Sequence, residues 1–497
     1  MSDQSNSTFR PALLLMSGRA AAFTVTFLIP VFLSRIFTQL EFGTYKQIFL
    51  IVYTLYGVGQ IGMAESLFYF LPLFPREAGK FVTNSVFMLS LTGLACLTAL
   101  LAMKDKVAGW LSNPDMASYA GLAGAYLLLM LAGCSLEIVM IARKHYRRAT
   151  VTYAASDLVR GVLFILPAVL THSIRWLMIG ALLFTALRVA TLLWYVRSEF
   201  AGSLGIDPGL LKKQFSYTIP FSLAVLVEVI QANYHQYAVS YYFDAATFAI
   251  YSVGCLQIPI VDFIASPASN VMMVRMGEEL REGRRSRVLP IWHDTSRKLS
   301  LVFFPLAGML FVNATGVITL LFPPQYIASV PIFMVWTLTI LFAVFQTDGV
   351  LRVFAETRYL VVMNIARLAA IIALMHWSIT AFNLVGPVIV TIVGMSVARA
   401  LALLKIQKLM NVPLTRLMPW RNLGGIAMAA MIAAIPAAFL SARLAMHSIV
   451  VLPLSGMVYM AVYAALLLCL RLLSAGEKRA IAESAAGFAR RVRKAAA

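Results

Sequence analysis

The sequence predicts an all-α polytopic membrane protein with about 14 transmembrane helices, and three observations carry that prediction. Hydrophobic residues make up 61% of the 497 and charged residues 12%, against roughly 45–50% and about 25% in soluble domains. Apolar runs recur from Leu13 almost to Leu472, each near the ~20 residues that a bilayer requires of a helix. Pro, Gly and charged breaks separate the runs, so no soluble domain of ordinary size is left between them.

The breaks place helices near 11-36, 45-72, 82-103, 118-141, 151-171, 176-196, 215-243, 247-274, 298-322, 330-354, 358-381, 387-405, 423-441 and 449-472. On this map 29 of the 41 Lys and Arg fall on one side, in segments such as "ARKHYRR" (142-148), "RMGEELREGRRSR" (275-287) and the tail. Six lie on or near the other side, where "FDAAT" (243-247) and "FNLVG" (382-386) are nearly free of charge, and six lie inside spans. The positive-inside rule then puts both termini in the cytoplasm. The net charge of +20 is therefore a topology signal, and nucleic-acid binding is not needed to explain it.

The opening "MSDQSNSTFR" is polar, and no small-residue cleavage site follows the first apolar run, which reads as a retained helix. The four cysteines stand singly inside apolar runs, far from metal-binding or redox spacings, and read as packing residues. In the tail, Ile481, Ala485, Phe488 and Val492 recur at helical spacing among Arg and Lys, the pattern of an amphipathic helix lying on the inner leaflet.

Two echoes suggest an internal repeat. "EFGTY" (41-45) recurs in outline as "TFAIY" (247-251), and "LSNPD" (111-115) as "LFPPQ" (321-325), at offsets of 206 and 210 residues. Repeated halves are common among transporters. The expected organisation is two six-helix lobes around a central cavity: an N-lobe over 1-196, a cytoplasmic linker over 197-214 and a C-lobe over 215-405. A helix pair over 406-472 and the basic tail, 473-497, follow.

Charges inside the spans point to a function. Arg19, Arg160, Arg188, Arg352, Arg367 and Arg399 are intramembrane, as are Glu65, Asp157, Glu228, Asp262 and Asp348. An arginine at mid-membrane costs roughly 3 kcal/mol on insertion scales, so the six cannot all face lipid. Some have structural readings. Asp157 with Arg160, and Asp348 with Arg352, are spaced to neutralise each other along one helix, Arg19 and Glu65 could bridge adjacent helices, and Arg352 and Arg399 could snorkel.

Arg188, flanked by Thr185 and Thr191, and Arg367, after Asn364, have no acid nearby in sequence. Glu228, Gln231 and His235 form one polar stripe, and Asp262, Ser266 and Ser269 another. Such stripes require a wet, shared cavity. Arginine pairs bidentately with phosphate oxygens and stays charged when desolvated, so Arg19, Arg160, Arg188 and Arg367 are the candidates for binding an anionic headgroup. Glu228, Asp262, Asp348 and Asp157 are the candidates for coupling to a proton or sodium ion.

Four segments, "LSRIFTQLEFGTYKQIFLI" (33-51), "QIGMAESLFYFLP" (60-72), "FAIYSVGCLQIPI" (248-260) and "LFPPQY" (321-326), resemble the polysaccharide-lipid flippases of the multidrug/oligosaccharidyl-lipid/polysaccharide exporter superfamily. Ala249 stands in the second turn where the first has Gly43. The resemblance spans the first twelve helices. It implies a bacterial inner-membrane protein that moves an undecaprenyl-diphosphate-linked oligosaccharide from the cytoplasmic to the outer leaflet by alternating access. Polysaccharide polymerases and glycosyltransferases would then be its partners.

Drug exporters of the same superfamily are the nearest alternative; they take largely cationic compounds, for which acids would suit the first lobe better than arginines. A membrane-embedded glycosyltransferase or polymerase is the alternative from another class. It would need a large outer loop or cytoplasmic domain, and no nucleophile, metal cluster or Gly-rich phosphate loop is evident. The sequence therefore reads as a transporter without cofactor or metal, not an enzyme.

Overall fold

The computed structural model describes residues 26–443, 448–473 and 477. Every regular element among them is helical, as the apolar periodicity requires and as lipid demands, since a helix satisfies its backbone polar groups internally. The chain forms two compact units.

The first unit holds residues 1–259, 321–329 and 364–394. Its helices run in order α1 (Thr26–Ile36), α2 (Gln39–Gly59), α3 (Met63–Leu73), α4 (Ala78–Ala102), α5 (Lys104–Trp110), α6 (Met116–Ala132), α7 (Leu136–Ala142), α8 (Tyr146–Thr171), α9 (Ile174–Phe200), α10 (Pro208–Tyr242) and α11 (Ala245–Gly254). Leu67, Phe70, Phe81, Val139 and Tyr195 knit α3, α4, α7 and α9 into one buried core. Leu170 and Trp194, each 71% exposed, show the opposite, lipid-facing kind of surface.

The second unit holds residues 260–320, 330–363 and 395–497. It contains most of α12 (Pro259–Arg281), then α13 (Val288–Val312), α14 (Ala314–Leu321), α15 (Val330–Thr337) and α16 (Thr347–Val353). The middle stretch of the next two helices, α17 (Thr357–Phe382) and α18 (Gly386–Met410), belongs to the first unit; α19 (Leu414–Leu417), α20 (Trp420–Arg443) and α21 (Ser448–Cys469) complete the second. Ala429 and Ala433 let α20 approach α21 closely, and Tyr459 Oη donates to the Ala430 carbonyl at 2.8 Å. Small residues plus a buried hydroxyl bond are the usual means of joining helices in lipid, where burial alone gives little driving force.

Among the described residues ten helical stretches are long and apolar enough to cross a membrane, or eleven if α11 and α12, bent by 52°, count as one span. The expected segments, as far as they are described, overlap helix, some with breaks inside them, and the tally is lower than fourteen. The first span begins outside the described residues, α17 and α18 run on as one 54-residue stretch, and α10 is not among the ten.

The sequence echoes have a structural basis. Thr38 caps α2 in a capping box with Glu41, and Asp244, 206 residues on, caps α11 through Thr247. Asn113 of "LSNPD" donates to Thr44 at 2.9 Å and to Gln47 at 2.6 Å on α2, while Ser329, just past "LFPPQ", donates to the Ile250 carbonyl at 2.7 Å on α11. Each echoed turn thus packs on its own echoed helix. A Cβ at Gly43 would lie 1.7 Å from the Ala245 carbonyl oxygen, which is why α2 carries glycine where α11 crosses it.

Candidate functional site

Several spans are broken, and the breaks position the acids. Between α2 and α3 the backbone turns left-handed at Ile61 (φ 47°) and Gly62 (φ 62°), a costly conformation for a β-branched residue. Glu65 follows in the first turn of α3. The α6 helix stops at Gly133, and Glu137 sits in the first turn of α7. In the second unit Asp262 opens α12 after the bend, and Asp348 opens α16 after a 3-10 stretch and a left-handed Gln346. A helix start offers unpaired N–H groups and the positive end of the helix dipole, an environment that suits a carboxylate.

In the first unit these breaks border a polar cavity of about 440 Å3, lined by Tyr56, Glu65, Glu137, Asp157, Arg160 and Arg188 among others. Arg188 Nη1 and Nη2 donate to the two oxygens of Glu137 at 2.8 and 2.7 Å, and Nη1 also reaches Ser156 Oγ at 3.1 Å. The Glu137 side chain is 4% exposed and that of Arg188 21%. Arg160 pairs with Asp157, one turn before it, and donates to Thr26 on α1. Its Nε is buried and has no hydrogen-bond partner among the described residues.

Arg160 also lines a second cavity of about 370 Å3, with Tyr45, Lys46, Tyr53, Asn233 and Gln236. One guanidinium therefore stands in the walls of two polar chambers. The first is ionic. The second is rich in amides and aromatic rings around Lys46.

Arg367 of α17 lies elsewhere in this unit. The Gln231 amide, with its oxygen turned toward it, accepts from Arg367 Nη1 at 3.1 Å and donates to the Asn364 carbonyl at 3.0 Å. His235, one turn on, shares a proton with Tyr251 Oη at 2.7 Å. The expected polar stripe on α10 thus divides: Gln231 and His235 are buried, whereas Glu228 is exposed. In the second unit Asp348 pairs with Arg399 at 2.6 Å rather than with Arg352, which is exposed, and Asp262 is exposed. Arg19 lies outside the described residues.

The structure therefore gathers Arg160, Arg188 and Asp157 in one cavity of the first unit, does not place Arg367 or Glu228 among its lining residues, and puts Asp262 and Asp348 in the second unit. Glu137 was not among the sequence candidates, although an acid in the apolar run "LLMLAGCSLEIVMIA" is a direct signal. At the basic end of the unit Asp207 caps α10, accepting from the Gly209 and Leu210 amides at 3.1 and 3.2 Å and from Lys80 at 3.1 Å. The Leu210 N–H, with Lys80, holds its carboxyl below the usual range.

No curated protein matches the chain in sequence. Among solved structures, the lipid II flippase MurJ in an inward closed conformation superposes with a TM-score of 0.70 at 13% identity, covering 90% of this chain and 97% of its own. An inward-facing multidrug resistance MATE family transporter of the MOP superfamily gives 0.63 at 13%, covering 78% and 94%. A MOP superfamily transporter from Pyrococcus furiosus, described as having a binding pocket of reverse polarity, gives 0.58 at 11%, covering 81% and 95%. The chain is thus a multi-pass membrane protein with the fold that these MOP superfamily transporters share. The family model described as polysaccharide biosynthesis protein matches residues 32–331, more than half of the sequence, and the chain belongs to that family.

Proposed function

We propose that the protein is a flippase for an undecaprenyl-diphosphate-linked oligosaccharide, moved from the cytoplasmic to the outer leaflet of a bacterial inner membrane by alternating access of the two six-helix lobes. The observation that carries this reading is the pair of arginines, Arg160 and Arg188, held in a polar cavity inside membrane-spanning helices. A fork that binds a carboxylate through two parallel bonds matches the oxygens of a diphosphate equally well. Arg367 and Arg19 complete the set assigned to the substrate, and membership of a polysaccharide biosynthesis family supports a saccharide cargo. Both termini are assigned to the cytoplasm by the basic asymmetry of the loops.

The second reading is a multidrug exporter. Glu65, Glu137 and Asp157 line the same cavity, and a site with three carboxylates can hold a cation as Arg188 swings away. The test is flux in proteoliposomes, with a fluorescent lipid-linked oligosaccharide and a cationic dye assayed in parallel. The flippase reading expects the lipid to reach the far leaflet and the dye to be ignored. Dye uptake without lipid translocation overturns it in favour of the exporter.

A further inference from the structure

The two polar chambers that share Arg160 differ in the sign of their charge. The first carries three carboxylates, Glu65, Glu137 and Asp157, against two guanidiniums. Each guanidinium is already paired, Arg160 with Asp157 and Arg188 with Glu137. No Asp or Glu is among the described residues that line the second chamber, and Lys46 of α2 stands in its wall. Lys46 is half-buried and makes no ion pair or hydrogen bond among the described residues; its ammonium rests 5.5 Å from the centre of the Phe42 ring. A cation held in a membrane-spanning helix without a counter-ion is met by water or by a ligand.

The rest of the wall says what kind of ligand. Tyr45 is only 6% exposed, lines the chamber, and has a hydroxyl without a hydrogen-bond partner among the described residues. Tyr45, Phe49 and Tyr53 recur every fourth residue of α2 along the chamber, with neighbouring ring centres 4.9 and 5.5 Å apart. Across from them, Asn233 donates its amide to the Val229 carbonyl at 3.0 Å, which leaves its own oxygen as an acceptor, and the Gln236 amide is unpaired among the described residues. Ring faces suit the C–H face of a pyranose, and carboxamides supply both donors and acceptors for its hydroxyls. Water needs the polar groups and gains nothing from the row of rings.

Charge and position narrow the choice further. With Arg160 engaged by Asp157, the second chamber offers a single uncompensated positive charge, which matches one carboxylate and falls short of a diphosphate. Along α2 the second chamber is lined as far as Tyr53 and the first begins one turn later, at Tyr56. Groups seated in the two chambers are therefore neighbours in the ligand. We propose that the second chamber binds an acidic sugar, the one joined directly to the diphosphate, with its carboxylate accepting from the Lys46 ammonium and the Tyr45 hydroxyl. The proposal rests on the flippase reading for the diphosphate in the first chamber. It adds the class of saccharide and makes Lys46 the residue that selects it.

The test uses the full chain in phospholipid nanodiscs and three probes: citronellyl diphosphate alone, and the same diphosphate joined to glucose or to glucuronic acid. Equilibrium binding should favour the glucuronic acid probe over the glucose probe about tenfold, the lower end of what a charge-assisted hydrogen bond contributes. Lys46→Gln should bring the acidic probe down to the affinity of the neutral one while leaving the glucose probe and bare citronellyl diphosphate unchanged, which also shows that the variant is folded. Lys46→Arg should keep a preference for the acid, and Tyr45→Phe should weaken the acidic probe by less than Lys46→Gln does. Equal wild-type affinities for the two sugars overturn the proposal without recourse to any variant. If Lys46→Gln weakens bare citronellyl diphosphate as much as the acidic probe, Lys46 holds the diphosphate and the sugar site is likewise overturned. Binding that depends on Lys46, with no translocation of the glucuronic acid lipid in proteoliposomes, rejects the flippase reading and keeps the sugar site. Translocation of both sugar lipids with equal affinities rejects the sugar site alone.

Discussion

Glu137 and Arg188, 51 residues apart in sequence, meet fork to fork at 2.7 and 2.8 Å inside the first unit. The pair occupies the guanidinium that the proposed substrate would need. Either the diphosphate displaces the carboxylate or Arg188 serves only to balance Glu137, and these two roles separate experimentally.

Arg188→Lys keeps the charge and loses the fork, and Arg188→Ala loses both. Translocation should fall in the order wild type, Lys, Ala. Removing one partner of a buried pair costs about 3–5 kcal/mol, so Arg188→Ala alone should also lower the melting temperature. Adding Glu137→Gln removes the stranded charge. The double variant should regain thermal stability and remain inactive, as read by melting and flux on the same preparation. Restored flux in the double variant would leave Arg188 with a structural role alone.

The contact between α2 and α11 predicts a packing defect without any change of charge. Gly43→Ala places a methyl 1.7 Å from the Ala245 carbonyl oxygen, which backbone must yield to accommodate. Overpacking of this kind costs about 1–3 kcal/mol. Gly109→Ala, where nothing lies within 4 Å, is the matched control and should be close to neutral. Melting in detergent distinguishes them.

These cases show what was legible in the sequence. Helix positions followed from apolar runs, because a span must be long and apolar whatever it packs against. The echo of "EFGTY" in "TFAIY" was readable because caps and small crossing residues are local requirements, and Thr38 and Asp244 meet them at the same offset. Partners were less legible. Arg160 with Asp157 could be read from a spacing of three, but Arg188 finds its acid on another helix and Asp348 chooses Arg399 over the nearer Arg352. Breaks inside spans were not legible either, since an apolar run looks continuous whether or not it unwinds at Ile61 or Gly133. Glu137 itself was readable as an acid in an apolar run, but the α6–α7 break that brings it into the cavity was not.

Asp207 ties the start of α10 to α4, where Asn84 both donates to its carbonyl and accepts from its amide at 3.0 Å. Its carboxyl is held below the usual range, so its stabilising contribution is present above the ordinary carboxylate pKa of about 3.9 and is lost as pH falls through the lower, folded value. Asp207→Ala should therefore melt below wild type at pH 7, and the gap should narrow as the buffer is taken below pH 4. A gap unchanged at low pH would mean that the charge of the carboxylate contributes nothing to it, since the backbone bonds to Asn84 survive in Asp207→Ala.

A flippase that concentrates substrate in one leaflet needs a driving force, and the sequence has no nucleotide-binding motif to supply one. The intramembrane acids are the remaining source. Asp157 and Asp348 are engaged by Arg160 and Arg399, so releasing either for a proton or sodium ion requires breaking an ion pair first. Glu228 and Asp262 are exposed on their helices and make no ion pair among the described residues, which leaves their carboxylates accessible to ion exchange. They are the first choices for coupling, with Asp348 and Asp157 next. Flux should be measured in proteoliposomes under imposed proton and sodium gradients for wild type, Glu228→Gln and Asp262→Asn. Coupling through these acids expects a gradient to accelerate wild-type flux and one of the two variants to lose that acceleration while keeping its basal rate. If neither gradient alters wild-type flux, transport is passive and the coupling assignment fails. If a gradient acts and both variants respond as wild type does, the coupling carboxylate is one of those now held by arginine, and Asp348→Asn and Asp157→Asn become the decisive pair.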